Sequence, residues 1–228
     1  MAPIAANLQA VRERIASAAR NAGRRPDAIA LVAVSKTFPV ERIAQAHAAG
    51  QRAFGENFAQ EAVEKISHLR ELALEWHFIG PIQSNKTGSI ATHFQWVHSV
   101  EREKIAQRLN AARPDGLPPL NVCIQVNVSG EAAKSGVAPG EEANLADAVS
   151  RLPRLRLRGL MAIPEPTTDE ALQRRRFALL RELKDALVAR GYTLDTLSMG
   201  MSDDLEAAIA EGSTMVRVGT AIFGPRVR

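Results

Sequence analysis

The sequence feature that most constrains the fold is an eightfold alternation of short apolar strands and amphipathic helices. Each apolar run is followed by a polar turn, and then by a segment whose apolar residues recur every three or four positions. The strand candidates are AIALVAVS, RAFG, EWHFIG, WVHSV, NVCIQVNV, LRGLMAI, TLSMG and MVRVG. Such alternation favours a parallel sheet, and eight units favour closure into a (β/α)8 barrel, with a doubly wound open sheet as the alternative.

The alternation runs through all 228 residues, which predicts one domain over 1–228. An extra amphipathic segment, PIAANLQAVRERIASAARNAG, precedes the first strand and predicts an N-terminal helix outside the repeat. The clusters RPDGLPP and PEPTT are short connections within the alternation and not linkers between two cores. With 46% hydrophobic residues, the chain can fill one sizeable core.

Charge and cysteine content argue against several classes of function. Lys and Arg exceed Asp and Glu by 29 to 25 and are scattered among acids, which argues against a nucleic-acid partner. Because the sequence shows neither a secretory leader nor an apolar stretch of about twenty residues, we expect a cytoplasmic protein without a membrane segment. The single cysteine, Cys123, sits in an apolar run, as expected of a buried thiol in a reducing compartment.

A lysine stands directly after the first strand, in LVAVSKTF. In barrels and open α/β sheets the chemistry gathers beyond the carboxyl ends of the strands, where Lys36 is placed. Partial burial there disfavours the charged form of an amine and makes it nucleophilic, as a Schiff-base lysine requires, although a solvated lysine fits the same pattern. The corresponding ends of other strands hold Glu56, Asn57, His77, Met161 and Arg217.

The segments SMGMSDD and VRVGTAIFG follow the seventh and eighth strand candidates, where barrels often bind phosphate. Ser202 precedes a helical pattern, so we expect an N-cap whose hydroxyl and neighbouring N–H groups can hold an anion. Gly219 permits close backbone approach, and Thr220 adds a hydroxyl. A plain cap at Ser202 and a tight turn at the other two residues are the alternatives.

Three familiar kinds of site are excluded by their residues. GPIQSNKT resembles a Walker A phosphate loop, but Asn85 stands where the second glycine is needed. GMSDD lacks the closing glycine of a serine-hydrolase elbow, and no histidine follows it. The five histidines show no metal-ligand spacing, so we predict no metal site.

The motifs together resemble a known family. The chain is similar, nearly end to end, to the YggS/PROSC-type pyridoxal phosphate homeostasis proteins, PLP-binding barrels of the alanine racemase N-terminal type. The resembling stretches are LVAVSKTFPVERI, FGENFAQEAVEKI, WHFIGPIQSNK, KSGV around Lys134, LRGLMAIP and LSMGMSDDLEAAIAEGSTMVRVGTAIFG. The resemblance implies a single (β/α)8 TIM barrel of the fold-type III PLP class. Because the sequence ends at Arg228, we expect no C-terminal β-domain.

The resemblance implies a site for pyridoxal 5'-phosphate (PLP). Lys36 would form the Schiff base, and Arg217 would face the pyridine nitrogen. Because a guanidinium only donates, it would keep that nitrogen unprotonated and the ring a weak electron sink. The implied phosphate contacts are Met201, through its backbone, Ser202, Gly219 and Thr220. The residues implied around the ring are Asn57, His77 and Met161.

The resemblance also implies a role in intracellular PLP (vitamin B6) and amino-acid homeostasis without robust catalysis. PLP-dependent apo-enzymes are the expected recipients, and a monomer is the expected state. The alternative is a PLP-dependent amino-acid racemase, which needs a base on each face of the ring. In racemases the second base is a tyrosine from the β-rich domain, whereas the sole tyrosine here, Tyr192, precedes the seventh strand, at the wrong end of a barrel.

Overall fold

The computed structural model of the chain describes residues 3–130 and 135–225, in which eight parallel strands close into a barrel. The strands are β1 (Ala30–Val34), β2 (Ala53–Glu56), β3 (Glu75–Phe78), β4 (Trp96–Val100), β5 (Leu120–Gln125), β6 (Leu155–Met161), β7 (Thr196–Ser198) and β8 (Met215–Val218). They pair in chain order, and β8 closes onto β1 with Ala30 opposite Met215 and Ala33 opposite Val218. The predicted barrel is confirmed, and the open-sheet alternative is wrong.

Helices precede the first strand, connect successive strands and follow the last strand. They are α1 (Ile4–Asn21), α2 (Val40–Ala48), α3 (Ala59–His68), α4 (Thr87–His93), α5 (Glu103–Ala112), α6 (Glu142–Ser150), α7 (Glu170–Ala189), α8 (Leu205–Ala210) and α9 (Thr220–Phe223). All except α4 and α9 fall within helical patterns of the sequence. In α4 the apolar residues are the adjacent Ile90 and Ala91, and α9 is only four residues long, so neither helix displays an apolar repeat of helical spacing.

The extra N-terminal helix is confirmed as α1. Its buried side chains include Ile4, Leu8, Val11 and Ile15, which recur at helical spacing on one face. That face packs against α2, α8 and α9, and the Asn7 side-chain amide donates to the Ile222 carbonyl at 2.8 Å. The helix therefore covers the part of the barrel where its first and last strands meet.

Side chains alternate along each strand between the barrel interior and the surrounding helices. An interior cluster of apolar residues consists of Val32, Trp96, Cys123, Met161 and Met215. Cys123 is a fully buried free thiol, as its sequence context predicts, and burial raises its pKa to about 12. The interior also contains buried polar side chains, among them His77, His98, Ser198 and Arg217.

Two negative findings hold for residues 3–130 and 135–225. No helix there has the length and apolar character needed to span a bilayer. No three or more histidine, cysteine or acidic side chains are grouped so that they could bind a metal ion. Lys134, which carries part of the family resemblance, lies outside these ranges.

Candidate cofactor site

A cavity of about 420 Å³ opens at the carboxyl ends of β1, β7 and β8. Six of the nine residues that the sequence and its resemblance single out line this cavity: Lys36, Met201, Ser202, Arg217, Gly219 and Thr220. They come from both ends of the chain and meet because β1 pairs with β8. Their contact with a cofactor remains a prediction.

The backbone around Lys36 is held on both sides. The N–H of Thr37 donates to Glu61 Oε1 at 2.7 Å, and the carbonyl of Ser35 accepts from Lys65 Nζ at 2.8 Å. Thr37 has a φ of 67°, a left-handed conformation that costs a β-branched residue energy. The half-buried Lys36 side chain therefore starts from a tightly fixed turn.

A buried ionic cluster lies directly behind this turn. Lys65 Nζ contacts Glu56 Oε1 at 2.8 Å and Glu61 Oε1 at 2.5 Å, and Ser35 Oγ donates to Glu56 at 2.7 Å. The Lys65 and Glu56 side chains are only 7% and 0% exposed. Burial raises the pKa of Glu56, while the ammonium group and the hydroxyl oppose that shift. The cluster fixes the positions of β2 and α3 relative to the end of β1.

The turn after β7 brings Met201 and Ser202 to the cavity. Helix α8 begins at Leu205 with Asp204 as its N-cap residue, so the predicted cap at Ser202 is wrong. The Asp204 carboxylate instead accepts from the Met201 N–H at 2.6 Å and folds the turn back on itself. Ser202 stands two residues before the cap, where it lines the cavity.

Arg14 is a cavity residue that sequence reasoning missed. It reaches from α1 to the turn after β7, where its guanidinium donates to the Ser202 carbonyl at 3.0 Å and pairs with Glu206 at 2.9 Å. It brings a guanidinium, whose charge is compensated by Glu206, to the part of the cavity predicted to receive phosphate. No local pattern marks this arginine, because its position depends on how α1 packs on the barrel.

Close approach of the first and last strands explains the glycine after β8. A Cβ atom on Gly219 would lie 3.2 Å from the Val34 carbonyl oxygen and 3.3 Å from the Val34 Cβ. Both contacts are tighter than ordinary packing, so a larger residue would push β8 away from β1. The next residue, Thr220, opens α9 at the cavity wall, where Phe38 and Phe223 stack with centroids 5.1 Å apart.

Arg217 extends from β8 into the barrel interior and is almost fully buried. Its Nη1 donates to Ser198 Oγ at 2.6 Å, and its Nη2 donates to the Ala162 carbonyl at 2.9 Å. Burial lowers the pKa of Arg217 to about 10, so the guanidinium stays charged at neutral pH. The cavity therefore has a fixed hydrogen-bond donor at its inner end.

The cavity does not reach Asn57, His77 or Met161. His77 is fully buried inside the barrel, with its ring bonded to Glu75 and His98, and Met161 packs in the interior apolar cluster. Asn57 follows β2, and its buried Oδ1 has no hydrogen-bond partner among the described residues. That these three residues contact the pyridine ring of PLP stays a prediction. The shape of the cavity does not favour such contact.

Comparison with known proteins gives a consistent picture. The family model described as alanine racemase, N-terminal domain, matches residues 6–227. The chain is 64% identical over 226 residues to the pyridoxal phosphate homeostasis protein of Pseudomonas aeruginosa, covering 99% of this chain and 97% of that one. It is 56% identical over 232 residues to the protein of the same name from Escherichia coli, covering 99% and 98%.

Among solved structures, PipY of Synechococcus elongatus with PLP bound superimposes with a TM-score of 0.85 at 36% identity. The match covers 97% of this chain and 100% of PipY. Sequence and fold thus agree over nearly the full length of these relatives. The chain belongs to the pyridoxal phosphate homeostasis protein family, whose barrel is of the alanine racemase N-terminal type.

Proposed function

We propose that this protein binds PLP in the cavity beside Lys36 and holds it for use by other proteins. The observation that carries the proposal is the convergence of Lys36, Arg217 and two hydroxyl residues on one cavity. The relatives' name supports a role in PLP homeostasis, and PipY has been solved with PLP bound. PLP-dependent apo-enzymes as recipients and a monomeric state are further predictions.

The residues of the cavity fit the functional groups of PLP. The Lys36 amine can condense with the aldehyde carbon, with loss of water, to give a Schiff base. The hydroxyls of Ser202 and Thr220 suit the phosphate, and the guanidinium of Arg14 lines the same cavity. Arg217 suits the pyridine nitrogen as a pure donor, which leaves that nitrogen unprotonated. When bound, PLP supplies an aldehyde and an electron-withdrawing ring.

The same cavity argues for a carrier over a racemase. Racemisation needs proton exchange on both faces of the ring, and Lys36 serves one of them. Among the described residues, those lining the cavity include neither tyrosine nor histidine. Tyr192 lies in the connection before β7, at the amino-terminal end of the barrel, where its hydroxyl bonds to the Asp147 carboxylate. His77 is sealed inside the barrel.

Removing one hydroxyl from the phosphate region should selectively weaken PLP binding. Ser202→Ala and Thr220→Val each delete a charge-assisted contact of about 1.5 to 3 kcal/mol, so PLP affinity should fall by about tenfold or more. Affinity for pyridoxal, which lacks the phosphate, should change little. The measurement is a titration with both ligands, with Ser150→Ala at the exposed end of α6 as the matched control. Equal losses for the two ligands would show that these hydroxyls do not contact phosphate.

The PLP-bound protein should not racemise alanine at an enzyme-like rate. Proton exchange should be slow and confined to one face, because Lys36 acts on one side and Arg217 keeps the ring a weak electron sink. The test incubates the protein with L-alanine in deuterated water and follows deuterium uptake by NMR and D-alanine by chiral chromatography. Stereoinversion at about one turnover per second or faster would overturn the carrier proposal. Asp203, an acidic residue of the cavity wall, would then be the first candidate for the second base.

A further inference from the structure

A continuous chain of hydrogen bonds crosses the barrel interior. It starts at Arg217 in the cavity, whose Nη1 lies 2.6 Å from Ser198 Oγ. Ser198 Oγ lies 2.7 Å from His98 Nδ1, and His98 Nε2 lies 2.9 Å from His77 Nδ1. His77 Nε2 then lies 2.7 Å from Glu75 Oε1. Glu75 is the first residue of β3 and its side chain is 49% exposed, so the chain ends at solvent on the opposite side of the barrel.

The two charged ends fix the direction of every bond. The Arg217 guanidinium has no acceptor, so Ser198 Oγ accepts a hydrogen bond from it. The Ser198 hydroxyl then donates a hydrogen bond to His98 Nδ1. A neutral His98 then carries its proton on Nε2 and donates to His77 Nδ1. His77 in turn carries its proton on Nε2 and donates to the Glu75 carboxylate, which can only accept. With both rings neutral, the four hydrogen bonds are satisfied only when each ring is the Nε2–H tautomer.

The environment of the rings is consistent with this assignment. Burial lowers the pKa of His77, although the Glu75 carboxylate opposes that shift. Burial, together with neighbouring His77 and Arg217, lowers the pKa of His98 well below its ordinary value. The hydrogen bond from His77 lowers the pKa of Glu75 and keeps it a carboxylate at neutral pH. Arg158 also lowers the pKa of Glu75, and its guanidinium lies over the Trp96 ring and is paired with Asp195.

We propose that Glu75 is a remote positioning residue for Arg217, acting through His77, His98 and Ser198. Successive bonds in such a chain polarise one another, and a carboxylate at its far end strengthens each of them. With Nη1 directed to Ser198 and Nη2 to Ala162, the guanidinium is held in one orientation at the wall of the cavity. The inference rests on the proposed function only in using PLP as a probe.

The first test concerns the protein without cofactor. Long-range ¹H–¹⁵N NMR of imidazole-labelled protein should show His77 and His98 as neutral Nε2–H tautomers at pH 7. A protonated ring, or the proton on Nδ1 of either ring, would overturn the relay. Because this measurement involves no PLP, it stands whether or not the proposed function is correct.

The second test measures how firmly PLP is held. In Glu75→Gln and Ser198→Ala, PLP release to a trapping apo-enzyme should be about two- to thirtyfold faster, a typical range for coupled networks. The absorption band of bound PLP should also shift, and Ser198→Thr, which restores the hydroxyl, should return both readouts toward the native values. Glu71→Gln, an exposed acid outside the relay, is the control and should match the native protein.

The outcomes separate the two proposals. One outcome is that both Glu75→Gln and Ser198→Ala bind PLP with the release rate and absorption spectrum of the native protein. That result would overturn the positioning role and leave the proposed function intact. If the native protein binds no PLP, the proposed function fails, and the tautomer measurement still decides the relay. If Ser198→Ala does not fold, the release rate and spectrum of Glu75→Gln, a conservative change at a half-exposed residue, decide the positioning role.

Discussion

Borohydride reduction of the PLP-bound protein should attach the cofactor to the peptide that contains Lys36. Lys36 extends from a turn held by Glu61 and Lys65 into a cavity that also contains Arg217. Reduction converts a reversible Schiff base into a stable secondary amine, so mass spectrometry of the digested protein identifies the lysine. The native protein should absorb visible light when PLP is bound and lose that band on reduction.

Lys36→Ala should remove the adduct from this peptide and weaken PLP binding by about tenfold or more, corresponding to at least 1.4 kcal/mol. The anion contacts should still retain some cofactor without the covalent link. Lys104→Ala, on the exposed face of α5, is the matched control and should be labelled like the native protein. Labelling of the native protein mainly at Lys86, or at Lys134 outside the described residues, would refute the assignment.

Lys65→Met should lower the free energy of unfolding by about 3 to 5 kcal/mol, because it leaves a carboxylate buried without its partner. Glu56 is fully buried, and its only other side-chain hydrogen bond within the described residues comes from Ser35. Chemical denaturation of both proteins measures the difference. The double variant with Glu56→Gln should recover most of the loss, since it removes the charge that the lysine compensates.

The decrease in the free energy of unfolding caused by Lys65→Met should also depend on pH. Burial raises the pKa of Glu56, and the lysine opposes that shift, so the variant raises the pKa further. A raised carboxyl pKa means that the folded state binds a proton more readily than the unfolded state, so stability falls as pH rises above the ordinary value of 4.5. The destabilisation should therefore be larger at pH 7 than at pH 5. A loss that is small at both pH values would show that the cluster contributes little to stability.

The order of elements could be predicted from the sequence because each strand is a short apolar run and each long helix has an apolar face. The two helices that escape prediction lack that periodicity: the apolar residues of α4 are the adjacent Ile90 and Ala91, and α9 is about one turn long. The sequence also predicts that residues such as Lys36 and Thr220 lie near one another, because the carboxyl ends of parallel strands lie on one side of a barrel. Local sequence alone sufficed for these inferences.

The missed features depend on packing between distant segments. Arg14 reaches the cavity only because α1 lies against α8, and the interior relay joins β3, β4, β7 and β8. Serine suits an N-cap position, so the sequence predicts a cap at Ser202. The N-cap residue of α8 is instead Asp204, whose carboxylate accepts from the Met201 N–H within the preceding turn. Neither helical periodicity nor a short motif carries information about such contacts.

Closure of the barrel through β1 and β8 also fixes when the cavity can exist during synthesis. Lys36 leaves the ribosome long before Arg217 and Thr220, because both follow it far along the sequence. Until β8 has paired with β1, the amine has no pocket around it, because the opposite wall has not been made. In a nascent chain that lacks β8, Lys36 therefore has no cavity around it, and we expect selective capture of PLP at this residue to begin only after β8 has paired with β1.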